Sequence, residues 1–213
     1  MESGEGNISI LRLRNLARAL GTTPDRLIAP EAERPRAIAL VGMRGAGKST
    51  VGPALAHALD VPFVEMDDRI ADAAGLRQDQ IFELHGAEFY RRIEREVLRE
   101  LLATGEPMVL ATPGGVVEEP ANWELLLEGA RVVWLKARVD DHWNRVVGQG
   151  DDRPMRDRPD ARETLRSMLR TRERRYRDAH VVEDTHDRTP QAIVESLTRR
   201  LRASPDTKGD ATA

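Results

Sequence analysis

Eight consecutive residues, GMRGAGKS at 42–49, carry the clearest chemistry in the chain. They match the pattern G-x-x-x-x-G-K-S, in which glycines let successive backbone N–H groups surround a polyphosphate. The helix predicted to begin beside Lys48 adds the positive end of its dipole. Lys48 is expected to reach the β- and γ-phosphates, and the Ser49 hydroxyl to ligate Mg²⁺. The motif predicts a nucleotide-type phosphate site formed by Gly42, Arg44, Gly45, Ala46, Gly47, Lys48, Ser49 and Thr50.

Three carboxylates lie at the end of the second predicted strand, in the sequence Glu65-Met66-Asp67-Asp68. The carboxyl ends of parallel strands face the ligand cleft in folds of this type. Carboxylates at that place can hold Mg²⁺ through water or accept the proton of an acceptor hydroxyl. The alternative for Asp67 is a capping role on the helix that follows.

Three arginines are candidates for binding anions. Arg91 is displaced from the apolar stripe of its helix, Arg153 lies in the glycine- and charge-rich stretch 148–159, and Arg172 lies one helical turn from Tyr176. Arg153 is placed to close over phosphates and stabilise charge during transfer. The Arg172 guanidinium can grip a carboxylate with two parallel hydrogen bonds. The alternative for each arginine is a solvated position without a ligand.

The stretch LATPGGVV at 110–117 joins a rigid proline to two glycines. Gly114 and Gly115 permit a close approach of the backbone to a ligand or a turn with positive φ. Pro113 fixes its own φ and lacks an N–H donor. The stretch is therefore expected to form part of a ligand wall at the end of a strand.

Strand and helix patterns alternate from residue 37 to 202. Short apolar runs predict strands at 37–42, 61–66, 108–112, 131–137 and 181–185, and helical spacing predicts helices at 49–59, around 89–101, at 163–178 and at 190–201. This alternation predicts an α/β fold with a parallel sheet flanked by helices. Residues 1–28 predict a helix, a tight turn and a short helix, 29–36 a linker, and 203–213 a disordered tail.

The composition excludes several classes of protein. The chain has no cysteine and a net charge of -3, so disulfides, thiolate metal sites and an overall basic nucleic-acid surface are excluded. Aromatic residues make up only 4%, too few for stacking platforms. No apolar run approaches the roughly 20 residues of a membrane span. A cytoplasmic location without membrane partners is expected.

The ordered set of motifs resembles the shikimate kinase family. It consists of GMRGAGKST, FVEMDD, EFYRRIE, PGG, DRPM and RERRY, and it covers nearly all of 37–201. The resemblance implies a P-loop fold of the nucleoside-kinase type that uses ATP and Mg²⁺ to phosphorylate the 3-hydroxyl of shikimate. It also implies three catalytic residues, which are Lys48, Asp67 and Arg153.

The same resemblance assigns roles at the acceptor and metal sites. Asp67 matches the aspartate that binds the shikimate hydroxyls and is placed to act as base, and Arg153 matches the lid arginine that contacts ATP. Arg91 and Arg172 match the arginines that hold the shikimate carboxylate. Gly114 and Gly115 match the last two glycines of a triplet that lines the site. Ser49 would ligate Mg²⁺, and Glu65 would reach it through water.

Two positions depart from the family pattern, and one of them, Pro113, supports a second hypothesis. Glu65 stands where the family usually has aspartate, and Pro113 stands where it usually has glycine. The segment 8–30 also resembles the closing helices of a helix-turn-helix domain. Some regulators of benzoate catabolism join such a domain to a shikimate-kinase-like domain that senses benzoyl-CoA, and their second domain shares the proline.

Three hypotheses follow, of which the first is a shikimate kinase with ATP and shikimate, or a related small anion, as ligands. The second is a benzoyl-CoA sensor, which would bind DNA only if a complete helix-turn-helix exists upstream. The third is a P-loop protein with another acceptor, such as gluconate or a nucleoside. Arg91 and Arg172, called the arginine pair below, and the PGG stretch favour the first hypothesis over the third.

Overall fold

The computed structural model describes residues 10–19, 24, 37–148 and 161–203. The chain divides into two compact units, Met1–Arg34 and Pro35–Ala213. In the first unit, helix α1 spans Ile10–Ala19, within the segment predicted to be helical. Apart from Pro24, the predicted second helix lies outside the described residues, as do the whole predicted linker at 29–36 and the tail from 204 onward.

The second unit is built on a five-stranded sheet in which all four strand pairs are parallel. The order across the sheet is β2-β3-β1-β4-β5. Because β1 is central and both faces of the sheet are covered, its sequence is a continuous apolar run. The predicted parallel α/β sheet is confirmed. The strands are β1 (Ala37–Val41), β2 (Phe63–Glu65), β3 (Met108–Ala111), β4 (Ala130–Lys136) and β5 (Val181–Asp184).

Helices connect the strands of the sheet. No bounds are predicted above for three of them, α3, α5 and α6. Helix α3 begins directly at the end of β2, and α5 has a weak amphipathic pattern. No helix among the described residues is both long and apolar enough to cross a membrane. The helices are α2 (Lys48–Leu59), α3 (Met66–Ala74), α4 (Gln78–Ala103), α5 (Pro120–Gly129), α6 (Val139–Gly148), α7 (Ala161–Tyr176) and α8 (Pro190–Ala203), with a short 3₁₀ helix at Val116–Glu118.

The core lies in two layers, one on each face of the sheet. Successive residues of a strand point to opposite faces, so Val41 packs in one layer and Leu40 in the other. The layer with Leu40 is completed by α2 and α8, which contribute Leu55 and Leu197. The opposite layer is completed by side chains of α3, α4, α5 and α7, including the buried Tyr176. The carboxyl edge of this sandwich carries the candidate site.

Helix α4 is interrupted at Gly86, whose φ of 78° and ψ of 179° are not helical. This conformation places the amino-terminal part of α4 and the part after residue 86 on different axes. The predicted stripe falls in the second part, where Ile93, Val97 and Leu101 are buried. The glycine thus sets the direction from which the second part of α4 enters the site.

Candidate active site

The loop at 42–49, called the phosphate loop below, connects β1 to α2 in a conformation that depends on glycine. Gly42, Gly45 and Gly47 have φ values of 147°, 77° and 99°, which residues with a side chain rarely adopt. A β-carbon at Gly42 would also lie 2.9 Å from the carbonyl oxygen of Leu135 at the end of β4. The spacing of glycines in the motif is therefore explained by backbone conformation and by the closeness of β4.

Lys48 lies beside the backbone of this loop. Its ammonium donates hydrogen bonds to the carbonyl oxygens of Gly42, at 2.7 Å, and Met43, at 3.2 Å. Burial lowers the pKa of Lys48 to about 8, although Asp67 and Glu65 act in the opposite direction. A poorly solvated ammonium at this position is well placed to bind phosphate oxygens, because a phosphate would supply the negative charge it lacks.

Helix α6 supports the outer side of the loop. Nδ1 of His142 lies 2.9 Å from the carbonyl oxygen of Arg44. Arg145 donates to the carbonyl oxygens of Gly45, at 3.2 Å, and Thr185, at 3.1 Å. Burial lowers the pKa of His142 to about 4, so the ring is neutral near pH 7. His142 thus connects α6 to the backbone of the loop.

Ser49 and Glu65 form the oxygen-rich part of the site. The Ser49 hydroxyl donates to Oε2 of Glu65 over 2.9 Å, and burial raises the pKa of Glu65. Among the described residues there is no group of three His, Cys, Asp or Glu side chains that could enclose a metal ion. Mg²⁺ bound to a nucleotide needs only one or two protein oxygens beside phosphates and waters. The hydroxyl and carboxylate present here fit that requirement.

Asp67 lies in the first turn of α3 and is held by two neutral side chains. Tyr90 donates its hydroxyl to Oδ1 of Asp67 over 3.2 Å, and the Gln78 amide donates to the same oxygen over 3.2 Å. Burial raises the pKa of Asp67, while the hydrogen bond from Tyr90 and the charge of Lys48 lower it. The N-cap of α3 is Glu65, without a side-chain capping bond, so Asp67 does not occupy the capping position considered as its alternative.

Arg91 and Arg172 meet at one carboxylate, that of Glu118. Nη2 of Arg91 lies 2.7 Å from Oε2 of Glu118, and Nε of Arg172 lies 2.8 Å from Oε1. Nη1 of Arg91 also contacts both oxygens of the buried Glu94, at 2.9 Å each. The two arginine side chains are only 18% and 12% exposed, which excludes the solvated alternative for both.

The stretch 113–115 lies between the phosphate loop and the arginines. A β-carbon at Gly114 would lie 3.3 Å from the backbone nitrogen of Arg44, and one at Gly115 would lie 2.5 Å from Nη2 of Arg91. Neither glycine has positive φ, so close approach rather than a left-handed turn explains both. Pro113 is buried beside them.

These groups surround one cavity of about 790 Å³. Of the predicted site residues, Gly42 and Ala46 lie on the buried side of the loop, and Arg153 lies outside the described residues. Glu118, Gln78 and Tyr90 were not predicted, because each is placed only by the packing of distant segments. The predicted residues that line the cavity are Arg44, Gly45, Gly47, Lys48, Ser49, Thr50, Glu65, Asp67, Arg91, Gly114, Gly115 and Arg172.

The fold and cavity define a P-loop protein with a second, arginine-lined subsite. Comparison with known proteins gives the family. A family model described as shikimate kinase matches residues 44–202. Shikimate kinases from Nitrosospira multiformis and Cereibacter sphaeroides are 38% and 37% identical over 171 residues, which is 80% of this chain and 87% and 85% of theirs.

Solved structures agree with the sequence comparison. A shikimate kinase from Acinetobacter baumannii, in complex with shikimate, superimposes with a TM-score of 0.73 at 31% identity, covering 81% of this chain and 95% of that one. One from Bacteroides thetaiotaomicron gives a TM-score of 0.72 at 27% identity, covering 78% and 98%. The chain belongs to the shikimate kinase family, and the resemblance inferred from its motifs is confirmed.

Proposed function

We propose that the protein is a shikimate kinase, which transfers the γ-phosphoryl group of ATP to the 3-hydroxyl of shikimate. The observation that carries the proposal is a single cavity lined by the phosphate loop, by Asp67 and by the arginine pair. A nucleoside triphosphate and a small hydroxylated carboxylate require these three groups of residues at neighbouring positions. Family membership and the shikimate-bound relative from Acinetobacter baumannii support the same acceptor.

The side chains of the cavity have separate roles in the phosphoryl transfer. Lys48 and the loop N–H groups bind the phosphates, and the arginines bind the acceptor carboxylate. Asp67 orients the acceptor hydroxyl and takes its proton as that oxygen forms a bond to the γ-phosphorus. The bond from phosphorus to the β–γ bridging oxygen breaks, and ADP leaves. By the family resemblance, Arg153, which lies outside the described residues, is expected to contact the phosphates of ATP.

Mg²⁺ is the proposed metal, held on the protein side by Ser49 directly and by Glu65 through water. When bound, it neutralises charge on the β- and γ-phosphate oxygens. The Ser49–Glu65 hydrogen bond of 2.9 Å keeps both oxygens on the phosphate side of the cavity. Glutamate is one methylene longer than the aspartate usual in the family, and its carboxylate charge is kept.

The proposal is tested by ADP release in a coupled assay with purified protein, ATP, Mg²⁺ and shikimate. We expect release that depends on shikimate, and a rate in Asp67→Asn that is lower by about 10²- to 10⁴-fold, because a positioned proton acceptor contributes that much. Asp68→Asn, at the next residue, is the matched control, since Asp68 is exposed. Release that is independent of shikimate, or equal in both variants, would contradict the proposal.

A second candidate is the sensor of benzoyl-CoA, and Pro113 is the observation that favours it. The proline offers no N–H donor to the cavity that it lines. Phe82, Trp143 and Met168 add apolar surface to the same cavity. Titration calorimetry with benzoyl-CoA distinguishes the two functions. Micromolar binding of benzoyl-CoA without turnover of shikimate would favour the sensor, whereas turnover without such binding would exclude it.

A further inference from the structure

Glu118, which ends the 3₁₀ helix, occupies the arginine pair. It accepts hydrogen bonds from Arg91 at 2.7 Å and from Arg172 at 2.8 and 2.5 Å, so both of its carboxylate oxygens are used. The two arginines come from α4 and α7, which are remote from Glu118 in sequence. A carboxylate of the chain itself thus lies where the proposed function places the carboxylate of the acceptor.

The second carboxylate at the pair, that of Glu94, differs from Glu118 in its surroundings. Glu94 is fully buried and accepts a further hydrogen bond from the Asn122 amide at 2.7 Å. The Glu118 side chain is 46% exposed, and its hydrogen bonds with described residues go to the two arginines. Glu94 is therefore a fixed structural partner of Arg91, whereas Glu118 has solvent available as an alternative.

Both arginines already have carboxylate partners when Glu118 is in place. Arg91 pairs with Glu94 and Glu118, and Arg172 pairs with Glu118. An acceptor carboxylate that arrived without displacing Glu118 would add a third negative charge within one small volume, which is unfavourable. Displacement of the partly exposed Glu118 side chain into solvent would remove that repulsion.

The backbone around Glu118 is fixed, so the movement can be confined to its side chain. Arg175 donates to the carbonyl oxygens of Val117 and Glu118, the latter at 2.9 Å. Gly115 leaves the space in which the contact forms, because a β-carbon there would lie 2.5 Å from Arg91 Nη2 and 3.2 Å from Glu118 Oε2.

We propose that Glu118 is an internal competitor for the acceptor carboxylate, and that it sets the affinity and selectivity of the acceptor site. It occupies Arg91 and Arg172 when the site is empty, and a carboxylate-bearing acceptor binds by displacing it. The inference rests on the proposed function, since it takes shikimate as the ligand of this subsite. It adds a specificity-determining residue to the site.

The test compares shikimate with its methyl ester, which lacks the carboxylate charge. Titration calorimetry without nucleotide should show that Glu118→Gln lowers the Kd for shikimate about fivefold. The reason is that the two partly exposed ion pairs of Glu118 with the arginines no longer compete with the carboxylate of shikimate. The Kd for the ester should change less than about twofold by the same reasoning. The gain for shikimate should also appear as a lower KM in the coupled assay.

Glu119→Gln is the matched control, because Glu119 pairs with Arg95 at 3.0 Å and does not line the cavity. It should leave both Kd values as in the wild type. Glu118→Ala, which cannot keep an amide in place of the carboxylate, should reproduce the gain for shikimate.

The outcomes separate the inference from the proposed function. If the wild type phosphorylates shikimate and the Glu118 variants bind it no better or more weakly, Glu118 holds the arginines in position or is neutral, and the inference is overturned while the function stands. An equal gain for shikimate and for the ester overturns it as well. If neither the wild type nor the variants bind or phosphorylate shikimate, the proposed function fails and the inference fails with it.

Discussion

At the scale of single residues, this chain has Pro113 where the family resemblance implies a glycine, in the stretch 113–115 that lines the cavity. The proline is buried and lines the cavity. Its carbonyl oxygen still accepts a hydrogen bond from the N–H of Val116 at 3.1 Å, which starts the 3₁₀ helix. The turn is therefore kept, while one N–H donor is lost and pyrrolidine carbons are added to the wall.

Replacement of the proline should recover acceptor affinity. We expect Pro113→Gly to lower KM for shikimate, because the variant supplies an N–H and removes ring atoms, and to destabilise the fold by about 0.4–1 kcal/mol, because glycine increases the entropy of the unfolded chain. Steady-state kinetics and thermal unfolding measure the two effects. Pro120→Gly, at the exposed start of α5, is the control and should alter stability alone. An unchanged KM in Pro113→Gly would show that the proline does not limit the acceptor.

At the scale of elements, the contact between α6 and the phosphate loop couples stability to pH. His142 is 1% exposed, and its pKa is lowered to about 4 by burial and by the charges of Lys48 and Arg145, against the hydrogen bond to the Arg44 carbonyl and the charge of Asp141. In the unfolded chain, histidine has a pKa near 6.5. The unfolded state therefore takes up the proton first as the pH falls.

The free energy of unfolding should reflect this difference. The contribution of His142 is complete above about pH 6.5, decreases as the pH falls toward 4, and amounts to about 3 kcal/mol over that range. We expect His142→Asn, whose amide can still donate to the Arg44 carbonyl, to lose less stability than the wild type between pH 7 and pH 4. Urea unfolding at several pH values provides the measurement. Parallel loss in the two proteins would contradict the buried neutral state of His142.

At the scale of the whole molecule, the candidate site belongs to one of the two units. The cavity is lined by residues between Met43 and Arg172, all within Pro35–Ala213. The family model also lies within this unit, at 44–202. Helix α1 contributes none of the lining residues, and its Ile10 and Leu11 are exposed. The described lining residues of the cavity therefore all come from the second unit.

Removal of residues 1–34 should leave the phosphoryl transfer intact. We expect the shortened chain to phosphorylate shikimate with kcat and KM within about twofold of the full chain, since the truncation removes none of the described residues that line the cavity. The coupled assay on both proteins checks this expectation, and circular dichroism confirms that each is folded. A large loss of activity in a folded shortened chain would show that the first unit contributes to the site.

Much of the architecture follows from local patterns in the sequence. The phosphate loop is contiguous in sequence. The strand before it and the helix after it are predicted by an apolar run and by helical spacing. The parallel sheet follows from their alternation. Local patterns failed where an element is short or where a break is concealed, as with α3 and with the interruption at Gly86 inside α4.

The sequence by itself determined the phosphate-loop motif, the fold class and the family, because each depends on residues that are adjacent or on periodic patterns. Only the tertiary structure decided which side chains meet across the cavity. Glu118 reaches Arg91 over 27 positions and Arg172 over 54, and His142 reaches Arg44 over 98. Such pairs depend on the packing and direction of whole elements, which no local spacing records. For that reason the arginine pair could be predicted from its motifs, whereas the carboxylate that occupies it could not.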